Sequence, residues 1–159
     1  MTEVALAGET PHTPSVIRLL LGKLGISYTE VLEHPGLNAE RKVQAVLLDD
    51  AIGALMVLFP QSQLLDLSHL TEMTGRKLTA VPLDRLDPML KKHGLTLLPG
   101  IPALTSSPCL YEESLLREPK LLINSGEPGL LLDISSEYFK SMLTKASAAN
   151  FGEALSSIR

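Results

Sequence analysis

The residues able to do chemistry are few and scattered. Four histidines, His12, His34, His69 and His93, fall at no metal-ligand spacing, so no metal site is expected. The chain holds no HExxH, no cysteine pair, no G-x-S-x-G and no phosphate-binding glycine loop. Cys109 follows Pro108 in an apolar stretch and reads as a buried, inert thiol. Asp49-Asp50 reads as a turn and Glu112-Glu113 as the start of a helix, where acids suit the dipole. What remains is Ser125-Gly126-Glu127-Pro128-Gly129. Glycine and proline make turns everywhere, but a glycine-rich loop between two buried strands exposes backbone N–H groups. Those groups can hold a carbonyl or an oxyanion.

The elements that would position this loop can be read from the apolar pattern. Val43–Leu48 and Ala54–Phe59 are unbroken apolar runs split by Asp49-Asp50-Ala51-Ile52-Gly53. That pattern predicts a hairpin buried on both faces, the strands about which the rest of the chain is arranged. Before it come a helix from Thr13 (cap) and Pro14 (first position) to Gly25, a strand over 26–33, and a short helical turn over 38–42. After it, Asp66 caps a helix whose Leu67, Leu70 and Met73 face inward, and Gly75 stops it. Leu65 and Leu70 form a hydrophobic staple across that cap. Leu78–Val81 is a short strand, and a further helix restarts at Asp87-Pro88 and ends at Gly94. Pro99-Gly100-Ile101-Pro102 makes a rigid corner. Pro108–Tyr111, Lys120–Asn124 and Leu130–Ile134 follow as strands, and Ser135 caps a last helix with Phe139, Met142, Leu143 and Ala146 on one face. Strands and helices alternate without a βαβ rhythm, so the fold class is α+β, a curved, mixed, largely antiparallel sheet packed by helices. Residues 1–12 read as a loose arm, 13–145 as one domain, and 146–159 as a tail or the start of a linker.

Composition bounds the function. The 159 residues are 45% hydrophobic and 20% charged, the profile of a globular chain with one core. No apolar run approaches the roughly 18 residues of a membrane helix. The acidic N-terminus carries no export signal, and the single cysteine suits a reducing compartment; the expected location is cytoplasmic. With 14 Lys and Arg against 18 Asp and Glu, the net charge of −4 argues against a protein that wraps duplex DNA. Arg41-Lys42, Arg76-Lys77 and Lys91-Lys92 are either a local basic rim or solvated helix ends.

The order of these pieces resembles the YbaK/EbsC-type aminoacyl-tRNA editing domain, related to the insertion domain of bacterial prolyl-tRNA synthetases. The match runs from about Val16 to Leu143. It is carried by Gly25-Ile26-Ser27-Tyr28, Glu33-His34-Pro35, the Val43–Pro60 hairpin, Leu65-Asp66-Leu67 and Gly75-Arg76-Lys77. Pro99-Gly100-Ile101-Pro102, the run Pro108–Leu116, and Asn124–Gly129 leading to Ile134-Ser135 complete the set. The resemblance implies hydrolysis of the ester joining a wrong amino acid to a tRNA acceptor end, without metal or cofactor. It implies a small pocket at Gly100, Ile101, Ser125, Gly126 and Gly129, with Gly126 as the oxyanion donor. The family's lysine falls in the first hairpin strand, and aligning the strands places Ala45 there. Lys42, the nearest lysine, is the catalytic candidate in its place: three residues away in one strand it points to the opposite face, and it takes the role only where the chain is still helical or a bulge shifts the register. Two functions follow as alternatives: a trans-acting aminoacyl-tRNA deacylase, or a catalytically degenerate binding module coupled to a signalling domain such as HDOD.

Overall fold

The computed structural model describes residues 11–143, and of 147–149 and 152–154 the backbone alone. In chain order the elements are α1 (Ser15–Leu24), β1 (Thr29–Leu32), β2 (Val43–Asp49), β3 (Ala54–Pro60), β4 (Gln63–Leu65), α2 (Leu67–Thr74), β5 (Thr79–Ala80) and α3 (Leu83–Lys92). Then come β6 (Cys109–Glu112), β7 (Lys120–Asn124), β8 (Leu130–Ser135), α4 (Ser136–Met142), β9 (Ser147–Ala149) and β10 (Gly152–Ala154). Short 3-10 turns lie at Pro102–Leu104 and Glu113–Arg117.

The hairpin is where the apolar runs put it. β2 and β3 pair antiparallel from Val43 opposite Pro60 to Asp49 opposite Ala54. Asp50 Oδ1 accepts from the N–H groups of Ile52 and Gly53, closing the turn with a side chain. Both faces are covered. Val43, Leu47, Met56 and Leu58 enter the larger core with Ile17, Leu21, Leu121, Ile123, Leu132, Ile134 and Phe139. Leu48, Leu55, Val57 and Phe59 face a second cluster with Leu70 and Leu78. β3 is therefore buried along almost its whole length.

The strands form three sheets. Five pair in the order β5-β2-β3-β6-β9, three in the order β1-β8-β7, and two as β10-β4. β6 runs parallel to both β3 and β9, while the remaining pairs are antiparallel. A parallel bridge between Lys42 and Leu122 joins the five-stranded sheet to the three-stranded one. The α+β class holds, with the single curved sheet of the sequence reading divided into these pieces.

Several local expectations are altered by tertiary contacts. Thr13 does not cap α1: its N–H and hydroxyl both donate to Glu30 Oε2, and Pro14 takes the cap position. The strand expected over 26–33 is confined to Thr29–Leu32, the stretch that β8 pairs. Residues 38–42 make a turn rather than a helix, with Asn38 Oδ1 accepting from Glu40 N–H. In α2 only Leu70 is buried; Leu67 and Met73 stand 43% exposed because an eight-residue helix presents one narrow stripe to the sheet. α3 does not restart at Asp87-Pro88 but runs unbroken with Pro88 inside it. Burial of Leu90 and packing of Leu86 and Met89 against the core offset the one backbone bond that proline forfeits. Asp66 and Ser135 do cap their helices, accepting from His69 and Tyr138 N–H. Beyond residue 145, β9 and β10 add to sheet edges formed by β6 and β4. Ala146 lies outside the described residues.

Candidate functional site

The loop 125–129 joins two adjacent antiparallel strands, β7 and β8, and is tied down from within. Asn124 Oδ1 accepts the Gly126 N–H at 2.7 Å. The Ser125 hydroxyl, fully buried, donates to the Leu130 carbonyl at 2.8 Å and accepts from Glu127 N–H at 3.2 Å. The Gly126 carbonyl accepts from Thr96 and Leu97, and the Gly129 carbonyl from Glu33. Gly126 and Gly129 have φ of 93° and 81°, the left-handed region that favours glycine. Of the loop amides, the Gly129 N–H takes no acceptor among the described residues, and Gly129 is exposed. The donor left open to a ligand is thus Gly129, while the Gly126 N–H is held by Asn124.

Ala45, Gly100 and Ile101 share the face of the larger core. Ala45 is half-buried opposite Leu58, Ile101 is fully buried, and the Gly100 backbone rests on Leu58, Val43 and Ile123. A Cβ at Gly100 would sit 3.6–3.8 Å from those side chains, ordinary contact distance. Lys42 is elsewhere. It bridges Leu122, whose neighbours Leu121 and Ile123 face the larger core, so Lys42 lies on the opposite side of the sheet from Ala45. Its ammonium pairs with Glu33 at 3.1 Å. Glu33 in turn donates its N–H to the Gly129 carbonyl, so Lys42 is linked to the glycine loop through Glu33.

A polar cavity of about 600 Å³ opens beside the loop, bounded by Glu127, Glu30, Thr13, Arg18, His12 and Gly94 among others. The hydrogen bonds from Thr13, with His12 and Arg18 nearby, hold the Glu30 carboxyl below the usual carboxylate range. The cavity therefore presents ionised carboxylate beside one guanidinium, a setting for an ammonium group on a polar substrate. Sequence reasoning missed Glu30 and Thr13. A threonine before proline signals a helix cap, and only the folded chain shows it turned toward a strand residue 17 positions on.

The basic residues divide. Arg41 pairs with Asp133, Lys42 with Glu33, and Arg76 with Asp50. Lys91 and Lys92 form no ion pair among the described residues, and they end α3 just before Gly94 at the cavity wall. The Cys109 thiol is buried, and burial pushes it up to about 12. No helix among the described residues is long and apolar enough to cross a membrane.

This is an α+β domain with a glycine-loop rim and a polar cavity on its flank. The sequence profile of the aminoacyl-tRNA editing domain matches residues 26–142, and the chain belongs to that family. No curated protein gives a significant match. Among solved structures, a protein of Marinobacter aquaeolei VT8, provisionally described as a signal transduction protein, superposes with a TM-score of 0.84 at 24% identity over 93% of this chain. The chain spans 32% of that protein's length. A second, provisionally described as a trans-editing enzyme for prolyl-tRNA synthetase, superposes with a TM-score of 0.71 at 18% identity, over 90% of this chain and all of the other. At these identities the likeness is one of fold.

Proposed function

We propose that the protein is a trans-acting aminoacyl-tRNA deacylase, hydrolysing the ester of a mischarged tRNA at the glycine-loop rim. The observation that carries this reading is the editing-family match across residues 26–142, which spans the loop, the corner and the hairpin together. In the reaction, water adds to the ester carbonyl and the bond to the ribose oxygen breaks. The proton then returns to that oxygen, and the amino acid leaves as its carboxylate. An activated ester needs orientation and an oxyanion donor more than a strong nucleophile. The Gly129 N–H supplies that donor, the neighbouring ribose hydroxyl of the substrate assists the attack, and Glu30 and Glu127 receive the ammonium of the aminoacyl group. Lys91 and Lys92 lie on the side from which the acceptor end approaches. Ala45 leaves the family's lysine role vacant, and Lys42 acts through Glu33 as a positioning residue.

The test is hydrolysis of a panel of mischarged tRNAs by wild type, Lys42→Ala, Gly126→Ala and Glu30→Gln. Turnover on at least one substrate is expected, with Lys42→Ala within about threefold of wild type. Glu30→Gln should raise KM about tenfold, the loss of one charge-assisted contact, with kcat little changed. A collapse of kcat in Lys42→Ala would return the lysine to the reaction centre. No turnover on any tRNA would sink the enzyme reading and leave a binding module.

A further inference from the structure

A separate cavity of about 340 Å³ opens at the edge of the larger core, between the end of α1, the turn after Pro102 and the last turn of α4. Its volume is that of a small-ligand site. The buried Pro102, Cys109 and Met142 form part of its wall, and Leu24 beside them stays 38% exposed. No charged side chain lines it among the described residues. A charged ligand therefore finds no partner there, while a neutral apolar one gains by leaving water.

The wall also says which neutral ligand. Met142 and Cys109 present sulfur atoms, the thiol being protonated near neutrality, and polarisable sulfur attracts aromatic rings. No lining side chain is itself aromatic, so those contacts are left for a ligand to make. The polar members of the wall are serines. The Ser141 hydroxyl donates to the Tyr138 carbonyl at 2.7 Å, which commits its proton and leaves its lone pairs. The Ser107 hydroxyl turns its proton to the Thr105 carbonyl at 3.4 Å in the same way. Both are acceptors that call for a donor. The turn that carries Ser107 is set in advance. The Thr105 and Ser106 N–H groups both donate to the Pro102 carbonyl. Ser106 stands at φ 53°, the one residue other than glycine at positive φ among the described residues. Strain of this kind gathers at ligand clamps.

A neutral aromatic ring with an N–H or O–H meets these conditions together. We infer that the cavity binds a small neutral aromatic donor of the indole or phenol class. The ring lies against the Met142 and Cys109 sulfurs, and its N–H or O–H donates to Ser141. The cavity shares no lining residue with the glycine-loop rim, and the inference does not rest on the deacylase reading.

The experiment is an NMR titration of the whole protein with two matched pairs, indole against 1-methylindole and phenol against cyclohexanol. Saturable shifts are expected at the cavity residues 24, 103–107, 109 and 141–143. 1-Methylindole has no N–H to donate and should bind about tenfold more weakly than indole. Cyclohexanol keeps the hydroxyl without the aromatic face and should bind at least about threefold more weakly than phenol. Ser141→Ala should cost indole about tenfold and 1-methylindole nothing; an affinity gap that survives this substitution would overturn the place given to Ser141. Ala103→Phe, at an exposed position in the wall, should abolish saturable binding with the urea midpoint unchanged. Equal affinity of indole and 1-methylindole for wild type would overturn the inference and leave a plain apolar recess. Shifts that do not saturate, or that fall outside the cavity, would overturn it too. The titration needs no turnover, so this inference and the deacylase reading can fail separately.

Discussion

Gly126 excludes a side chain on two grounds, its backbone angle and its neighbour. At φ 93° an L-residue is strained, and an ideal Cβ would stand 2.7 Å from Leu95 Cδ2. The strain costs about 1–2 kcal/mol, while the flexible end of Leu95 can yield. Gly126→Ala should therefore lower stability by about 1–2 kcal/mol in urea unfolding, so any loss of turnover in that variant must be corrected for its folded fraction. Cys109 illustrates the reverse case, a residue with reactive chemistry held inert. With the thiol pushed up to about 12, almost no thiolate exists near neutrality. Iodoacetamide at pH 8 should label the native protein at least about 100-fold more slowly than the urea-unfolded chain; comparable rates would mean that the β6 region opens readily. At this scale the sequence was informative about residue type and blind to partners. Cys109 in an apolar run reads as buried because its neighbours are buried. That Asn124 holds the Gly126 N–H, or that Thr13 seeks Glu30, depends on atoms brought together by the fold.

Helices and strands were legible where local signals agreed with packing. Asp66 and Ser135 cap, and Gly25 and Gly75 terminate in the left-handed region, because these effects act within one turn. α3 shows the other outcome. Local chemistry says that proline starts a helix, yet the helix begins five residues earlier, at Leu83, because Leu86, Met89 and Leu90 must reach the core on one face. This continuity has a testable cost. Replacing Pro88 restores an N–H that can bond the Asp84 carbonyl and removes the ring from the preceding turn. Pro88→Ala should raise stability by about 1–3 kcal/mol, read as an increased urea midpoint with an unchanged m-value. A loss of stability instead would show that the ring packs usefully where it stands. The strands past residue 145 were not legible for a related reason: three-residue segments carry too little pattern, and they exist by pairing with edges elsewhere in the chain.

Across the whole molecule the hairpin fixes the arrangement, and its turn is anchored to a distant segment. Asp50 accepts from Arg76 Nε at 2.8 Å and Nη2 at 2.7 Å, and the same guanidinium reaches the Gly53 carbonyl. One arginine just past α2 thus locks the turn between β2 and β3, and Arg85 adds an ion pair to Asp49 at 2.9 Å. The Arg76 hydrogen bonds, joined by the Ile52 and Gly53 amides, hold the Asp50 carboxyl far below the usual carboxylate range. A depressed folded-state value means that the unfolded chain binds a proton first as pH falls. The stabilisation from this pair is therefore complete above the unfolded value of about 3.9 and fades as pH drops through it toward the folded value. Comparing wild type with Arg76→Ala isolates the pair from the other carboxylates that drive acid unfolding. The gap in urea midpoint should be constant from pH 7 to about pH 5 and should narrow progressively below about pH 4. It should also survive 0.5 M salt in large part, since a bidentate contact depends on hydrogen bonds as well as on screened charge. A gap that stays the same at pH 3 would assign the role of Arg76 to its bond with the Gly53 carbonyl and to the packing of its stem, with the Asp50 charge contributing little.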